Sequence, residues 1–375
     1  MSINNQSLES RLLAIAQLLV DPQQGRVIVP PQSNESGYWF GGGNMSVGPE
    51  GALYLCGRYR NHGDSRLGTA AGTRGLELAI FRSTDGGGSF QKVVSLSKQD
   101  LSQPGREVVS IEGAAMRWDA AGIELFVSTE KAGVGYPAGY EQYLKEGTGV
   151  WSIDRIRSKS LEEMQTGRSV ETVLASQDLN HLHVKDPFLY ETKQGETMLL
   201  FCSHPFSWTS SNTGYALRSN SSEGFSEPQF GCFPRGMSWD VAMSRGTALV
   251  DLPQVGVLAN REVSLLFYDG GECVRNLDEH SNAVSRPRGY SCEELGGVAY
   301  MCDENWREKN WSSAIRLSQH APLFVSPTGT GCSRYVDVLV TPENWYVTWQ
   351  QSQADLSQPL MLNVVPTEAV VRALQ

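Results

Sequence analysis

Past residue 35 the chain is written in short apolar runs, each closed by Gly, Pro, Asn or Asp, with almost no stretch that keeps a helical period. That rhythm predicts β-strands joined by tight turns, and hence an all-β fold. Strands are expected over residues 52–59, 76–83, 123–128, 198–203, 214–218, 263–268, 334–340 and 345–350. Helix is expected only over 8–20, 138–146, 159–165 and 367–374. The apolar run at 12–20 is interrupted by Gln17 and preceded by Glu9 and Arg11. With no basic leader and no small-residue cleavage site, it reads as an amphipathic helix and not as a signal peptide.

A coarser repeat overlies the strands. Five times a polar or charged cluster precedes an apolar strand pair and a turn: Gly41-Gly-Gly-Asn44, Ser110-Ile-Glu112, His183-Val-Lys-Asp-Pro187, Ser238-Trp-Asp240 and Gly331-Cys-Ser-Arg-Tyr335. Five clusters predict a five-bladed β-propeller over residues 35–375, a single domain behind a helix and lead-in at 1–34. Their uneven spacing is unlike a regular WD-type repeat. The longest interval, 270–330, holds Asp278-Glu-His280 and Glu304-Asn-Trp-Arg307 and reads as an insertion; a sixth, degenerate blade within it stays open. In a propeller the innermost strand of every blade lines one channel, so polar residues far apart in the chain converge there.

Composition agrees. The chain has 375 residues, 40% of them hydrophobic, with 38 Gly and 17 Pro, enough for a large core cut by many turns. A formal charge of −10 without a basic stripe argues against nucleic acid or an anionic membrane as partner. Seven cysteines without a C-x-x-C pair predict free thiols in a reducing, cytoplasmic setting, with no disulfide framework and no structural metal. No P-loop, dinucleotide fingerprint or Gly-x-Ser-x-Gly elbow is present, so no cofactor is expected. His62, His183, His204 and His280 lack metal-ligand spacing and are expected as loop histidines.

Phe81-Arg-Ser-Thr-Asp-Gly-Gly-Gly-Ser-Phe90 predicts a hairpin turn in which Asp85 accepts nearby N–H groups and the glycines take positive φ. Ser83, Asp85, Gly87 and Phe90 resemble the Asp-box of sialidases and related propellers, a structural turn. His183-Val-Lys-Asp-Pro-Phe-Leu-Tyr190, followed by Met198–Ser203 and Asn212–Ala216, resembles the five-bladed glycoside hydrolases of the arabinanase, xylosidase, invertase and mannoside-phosphorylase type. There a Lys/Arg-Asp-Pro motif starts a blade and its Asp lines the sugar site. The resemblance extends loosely over residues 36–365. It implies glycoside hydrolysis or a related glycosyl transfer on a small or oligosaccharide substrate, with Asp186 as sugar ligand, modulator or transition-state stabiliser. Independently, a carboxylate just before Pro187 is pushed to extended backbone at a strand end, where a ligand can reach it; a loop-capping Asp is the plainer alternative.

Glycosidic cleavage needs two carboxyl groups, one protonated and one ionised. Glu112 is the expected acid, its pKa raised by burial beside Met116 or Trp118; an ion pair with Arg106 or Arg117 is the alternative. Asp240 is the expected base or nucleophile, with Trp239 as a stacking platform, or else a partner of Arg245. Where the resemblance calls for a carboxylate in the first blade, the chain has Asn44, and an amide cannot act as base or nucleophile. Arg58, Arg60, Arg245 and Arg334 could grip an acidic or phosphorylated glycone. Arg334 and Tyr335, adjacent on one strand, point to opposite faces unless the strand is bulged. Asp269, in Asp-Gly-Gly, reads as ordinary hairpin chemistry. Asn44 keeps two other readings open: a non-catalytic sugar-binding propeller, or a propeller enzyme with lyase, cyclase or isomerase chemistry.

Overall fold

The computed structural model describes residues 2–61, 75–144, 146–219, 224–271, 294–302 and 313–375. His62, His280, Cys273, Cys292 and the 278–280 and 304–307 clusters lie outside them. The chain opens with helix α1 (Ser2–Leu19) and strand β1 (Arg26–Val29), and the rest of the described chain forms five antiparallel blades in a propeller. The first blade comprises β2 (Trp39–Gly41), β3 (Met45–Val47), β4 (Leu53–Arg60), β5 (Glu77–Ser83) and β6 (Gln91–Ser97). The second comprises β7 (Val108–Asp119), β8 (Gly122–Lys131), β9 (Val150–Ser158) and β10 (Ser169–Leu174). Helices α2 (Lys98–Leu101) and α3 (Leu161–Thr166) flank it. The third is β11 (His183–Glu191), β12 (Thr197–His204), β13 (Asn212–Arg218) and β14 (Gln229–Phe233); the fourth is β15 (Met243–Asp251), β16 (Val263–Gly271), β17 (Leu295–Cys302) and β18 (Ile315–Arg316). In the fifth, β19 (Ser333–Val340), β20 (Asn344–Gln351) and β21 (Leu360–Pro366) are completed by β1, which pairs antiparallel with β21.

That last pairing closes the ring. A propeller blade left with a bare outer strand exposes unpaired backbone groups, and here the start of the chain covers the end of it. Helix α4 (Thr367–Leu374) follows β21 directly, and α1 packs beside it. Leu12, Ile15 and Leu19 of α1 share one buried cluster with Trp345, Trp349, Val370 and Leu374. Each such side chain contributes about 1.5–3 kcal/mol on leaving water. The expected helix at 138–146 is a single 3-10 turn, Glu141–Tyr143.

Blades are also fastened by charge. Arg117 on β7, Glu124 on β8 and Arg157 on β9 stand in register across the second blade. Arg218 of the third blade reaches over to Glu124 with both terminal nitrogens, at 2.5 and 2.6 Å. Arg117 Nε lies 2.8 Å, Arg157 Nε 3.2 Å and Arg155 Nη1 3.6 Å from the same carboxylate. The Asp85 turn forms as expected. Asp85 accepts the Ser89 N–H at 2.9 Å and the Ser83 hydroxyl at 2.8 Å, and Gly86 and Gly87 take φ of 67° and 88°.

Candidate active site

The first strands of blades two to five share one irregularity. Register slips between Ile111 and Ala114 on β7, Lys185 and Phe188 on β11, Gly246 and Ala248 on β15, and Arg334 and Asp337 on β19. A bulge adds a residue without a partner and re-aims side chains, so neighbours that a regular strand would separate turn toward the same channel. Asp186 and Tyr335 both sit at the bulges with φ of 53°. Left-handed backbone costs a non-glycine residue about 1–3 kcal/mol, and such strain gathers where a site needs it. The bulge at Tyr335 resolves the expected conflict with Arg334: the Arg334 guanidinium carbon lies 5.1 Å from the Tyr335 ring centroid.

Asp186 is the hub. Its Oδ1 accepts the Gly113 N–H of the second blade at 3.0 Å. Its Oδ2 accepts from the Cys202 thiol at 3.3 Å and the Tyr335 hydroxyl at 3.4 Å, with Lys185 Nζ at 3.6 Å and Arg245 Nη1 at 3.9 Å. Residue 113 has to be glycine, because a Cβ there would stand 2.7 Å from Asp186 Oδ1. Burial opposes the Asp186 charge, but Lys185 and Arg245 outweigh it and hold its pKa down.

Glu112 also reaches the funnel, in a state opposite to the one expected. Its carboxylate is bound by Arg58 at 2.7 Å and Arg60 at 3.2 Å, not by Arg106 or Arg117. Burial disfavours its charge, yet Arg58, Lys185 and Arg60 hold it well below the usual carboxylate range. A group so held has no proton to donate near neutrality. Arg58 further donates to the Gly41 carbonyl at 3.1 Å, and Arg60 and Arg334 both lie over the Trp39 ring, at 4.5 and 4.4 Å.

Asp269 supplies the protonatable carboxyl that the sequence hid. It is no hairpin residue: β16 runs on through Gly271, and Asp269 pairs with Arg245 in the ladder. The Tyr335 N–H donates to its two oxygens at 3.0 and 3.3 Å, and Arg245 Nη2 stands 3.7 Å away. Burial, with Asp186 adding to it, pushes Asp269 up to about 6 against the pull of Arg245 and that N–H. Arg245 Nη2 also lies 3.0 Å from Glu294, which Arg334 contacts as well. Beside Asp186, Arg245, Asp269 and Tyr335 is a cavity of about 20 Å³, room for one water; Asn44 also lines it, and much of the remaining wall is glycine or apolar, including Phe188 and Val336.

Two expected participants stand elsewhere. Asp240 is fully buried against Arg316 at 2.7 Å and the Tyr268 hydroxyl at 3.2 Å, and its partner is not Arg245. Trp239 stacks on Tyr268 and donates its indole N–H to the Ser318 carbonyl at 2.7 Å, so it offers no face for a sugar. Neither lines the cavity. His183 and His204 are buried in β11 and β12, not in loops; Tyr136 bonds the first at 3.0 Å, and the Ser210 carbonyl lies 3.0 Å from the second. Among the described residues no group of three or more His, Cys, Asp or Glu could hold a metal ion.

Asn44 has a structural occupation. Its amide donates to the Met116 carbonyl at 2.9 Å while its oxygen accepts the Met116 N–H at 2.7 Å, a ladder rung between the first and second blades. Asn44→Asp loses the donor and sets a partly buried charge against the Met116 carbonyl. It is expected to lower stability by about 1–3 kcal/mol in urea unfolding and to create no activity; a variant as stable as the parent would contradict the clamp.

A second expectation follows from Asp269 and from Asp337, whose carboxyl accepts the Met45 N–H at 2.9 Å and is pushed by burial up to about 7. Both groups bind their proton more tightly folded than unfolded. Their contribution to stability is fully present below about pH 4, the unfolded value, and is lost as pH rises through about 6 and about 7. The buried His183 and His204, whose pKa values are lowered by burial, pull the other way, so the check is a difference: relative to the parent, the melting temperature of Asp337→Asn should rise from pH 5 to pH 8 in calorimetry, and a constant gap would refute the assignment.

No protein-family model and no curated protein sequence matches the chain. Solved structures do. An α-L-arabinofuranosidase from Lactobacillus brevis aligns with a TM-score of 0.56 at 10% identity, over 94% of this chain and 93% of that one. A β-1,2-mannobiose phosphorylase from Listeria innocua aligns at 0.51 and 12% identity, over 94% and 93%. A xylan β-1,4-xylosidase from Bacillus halodurans C-125 aligns at 0.52 and 9% identity, over 90% of this chain but 54% of its own, so the chain spans about half the length of that enzyme. At such identities the likeness establishes the five-bladed fold.

Proposed function

We propose that the protein cleaves or transfers a glycosyl group of a small glycoside held in the propeller funnel. One observation carries this reading. Asp186 and Asp269, one ionised and one with a raised pKa, flank a single guanidinium beside a cavity that fits one water. Arg245 lies 3.9 Å from the first and 3.7 Å from the second, so the two carboxyl groups face each other across one guanidinium, and glycosidic cleavage needs such a pair on one bond. Asp269 donates the proton to the departing oxygen, Asp186 stabilises the positive charge that develops on the sugar, and a water or acceptor hydroxyl then bonds to the anomeric carbon and returns a proton to Asp269. Glu112 holds Arg58 and Arg60 in place, and Tyr335 and Arg245 orient the sugar above the cavity. The fold is shared with solved structures named for arabinofuranoside, xylan and mannobiose chemistry.

Cys56, Cys202 and Cys232 are free thiols, which supports a cytoplasmic location. Among the described residues no helix is long and apolar enough to cross a membrane. A panel of chromogenic aryl glycosides tests the activity: release of the aglycone by the protein, lost in Asp269→Asn, is expected. The one-water cavity and the occupied amide of Asn44 favour a second reading, a sugar-binding propeller without catalysis. Calorimetric binding of a sugar with no turnover across the panel would establish it.

A further inference from the structure

A thiol and an imidazole lie buried behind Asp186. Cys202, on β12, stands opposite Lys185 in the ladder with β11, and the register slip between Lys185 and Phe188 leaves Asp186 Oδ2 3.3 Å from its sulfur. On its other side Cys202 Sγ lies 3.7 Å from His204 Nε2. Burial, with Asp186 adding to it, pushes the Cys202 thiol far above its usual range, so it keeps its proton and is no nucleophile. Burial, aided by Lys185 and Arg245, holds His204 neutral. Its Nδ1 faces the Ser210 carbonyl at 3.0 Å, which can only accept, so the ring proton sits there and Nε2 is an acceptor. Nε2 has a donor of its own in the Ser211 hydroxyl at 3.4 Å. The thiol proton therefore goes to the nearer and charged acceptor, Asp186.

Asp186 depends on donors of this kind for its aim. Lys185 and Arg245, at 3.6 and 3.9 Å, supply charge, but at those distances little direction. The Gly113 N–H fixes Oδ1. For Oδ2 there are, among the described residues, two hydrogen-bond donors: the Tyr335 hydroxyl at 3.4 Å and the Cys202 thiol. Tyr335 comes from another blade and lines the cavity, so its hydroxyl is within reach of a ligand. A phenol that turns to a sugar leaves Oδ2. Cys202 is fully buried behind the carboxylate and has no such choice. A thiol is also a weak donor, so it fixes the rotation of the carboxylate while leaving the charge for the sugar.

We propose that Cys202 is a positioning residue, whose thiol holds Asp186 Oδ2 from behind while Tyr335 engages the ligand. This rests on the glycoside reading given above and adds the group that keeps its charge stabiliser aimed. No bond to Cys202 forms or breaks in the reaction, and its effect reaches the sugar through Asp186 alone. The loss of the thiol proton is therefore felt in kcat, where the positive charge develops, and little in KM.

Two measurements on the full chain test it. With the aryl glycoside that the parent turns over fastest, Cys202→Ala is expected to lower kcat by about three- to ten-fold, the worth of one hydrogen bond, with KM little changed. Cys202→Ser keeps a donor and is expected to recover most of that loss. A residue needed for packing alone gives serine no advantage over alanine, because burying a hydroxyl costs stability. The second measurement is the infrared S–H stretch of Cys202, isolated as the difference between the parent and Cys202→Ala, or Cys202→Ser where alanine does not fold. It is expected at lower frequency in the parent than in an Asp186→Asn background, since an amide is the weaker acceptor. Parent-like kcat in Cys202→Ala, no recovery in Cys202→Ser, or a band indifferent to Asp186→Asn overturns the proposal. Turnover with an indifferent band removes Cys202 from its role and leaves the glycoside reading intact. A band that shifts in a protein that cleaves no glycoside removes that reading and leaves Cys202 as the group that aims Asp186.

Discussion

Asp269→Asn is expected to reduce turnover of the aryl glycoside by about 10²–10⁴-fold, the usual worth of a positioned proton donor, while leaving the propeller folded. The amide is nearly isosteric, and its oxygen still accepts the Tyr335 N–H that holds the side chain. What it lacks is the proton. Burial raises Asp269 to about 6, so in the parent the rate should fall as pH climbs through that value and the acid empties. In Asp269→Asn this alkaline limb should vanish along with most of the rate, and KM should move little. Glu112→Gln makes the contrast. Glu112 is held ionised by Arg58, Lys185 and Arg60, so its loss should disturb binding through the loosened arginines and leave the limb near pH 6 where it was. A pH profile that follows Glu112 and ignores Asp269 would reverse the assignment.

The largest expected effect on stability comes from a residue with no part in the chemistry. Glu124→Ala leaves the guanidiniums of Arg117, Arg155, Arg157 and Arg218 around an empty centre. Glu124 is 2% exposed and held at a pKa of about 2: burial opposes its charge, and Arg218 and Arg117 overcome it. Removing one partner of a buried ionic cluster typically costs about 3–5 kcal/mol, since the remaining charges lose water without compensation. For a chain of this size that corresponds to a fall in melting temperature on the order of 5 °C. Because Arg218 belongs to the third blade and Glu124 to the second, the loss also loosens a seam between blades. A melting temperature within a degree or two of the parent would show that the outer carboxylates Glu171 and Glu191, which already contact Arg155 and Arg117, suffice on their own.

The blade pattern was legible because a propeller strand is a local object. Alternation of apolar and polar positions bounded by turn residues needs no distant partner, and the expected runs at 52–59, 76–83, 198–203 and 345–350 fall within β4, β5, β12 and β20 give or take a residue. The C-terminal helix over 367–374 forms as expected, with Val370 and Leu374 buried on one side. The closure by β1 was not legible: Arg26–Val29 is short, and its partner lies more than 330 residues away. Site residues divided along the same line. Asp186, Arg58, Arg245, Arg334 and Tyr335 announced themselves as polar groups at strand starts or ends. Asp269 was disguised by Gly270 and Gly271, which look like a turn but continue the strand so that Trp239 can lie against Gly270. Asp240 had the right neighbours in sequence and the wrong ones in space, because Arg316 arrives from a strand 76 residues on.

The chain's own pattern determined the all-β class, the five polar clusters that open the blades, and a set of carboxylates and arginines destined for a common axis. Only the tertiary structure decided which carboxyl keeps its proton. That choice depends on how many cations each one meets after burial: three for Glu112 and a dominant Lys185 and Arg245 for Asp186, but for Asp269 too little attraction to offset the loss of water. Charge balance at a buried point is a sum over residues from five blades, and no stretch of sequence contains that sum.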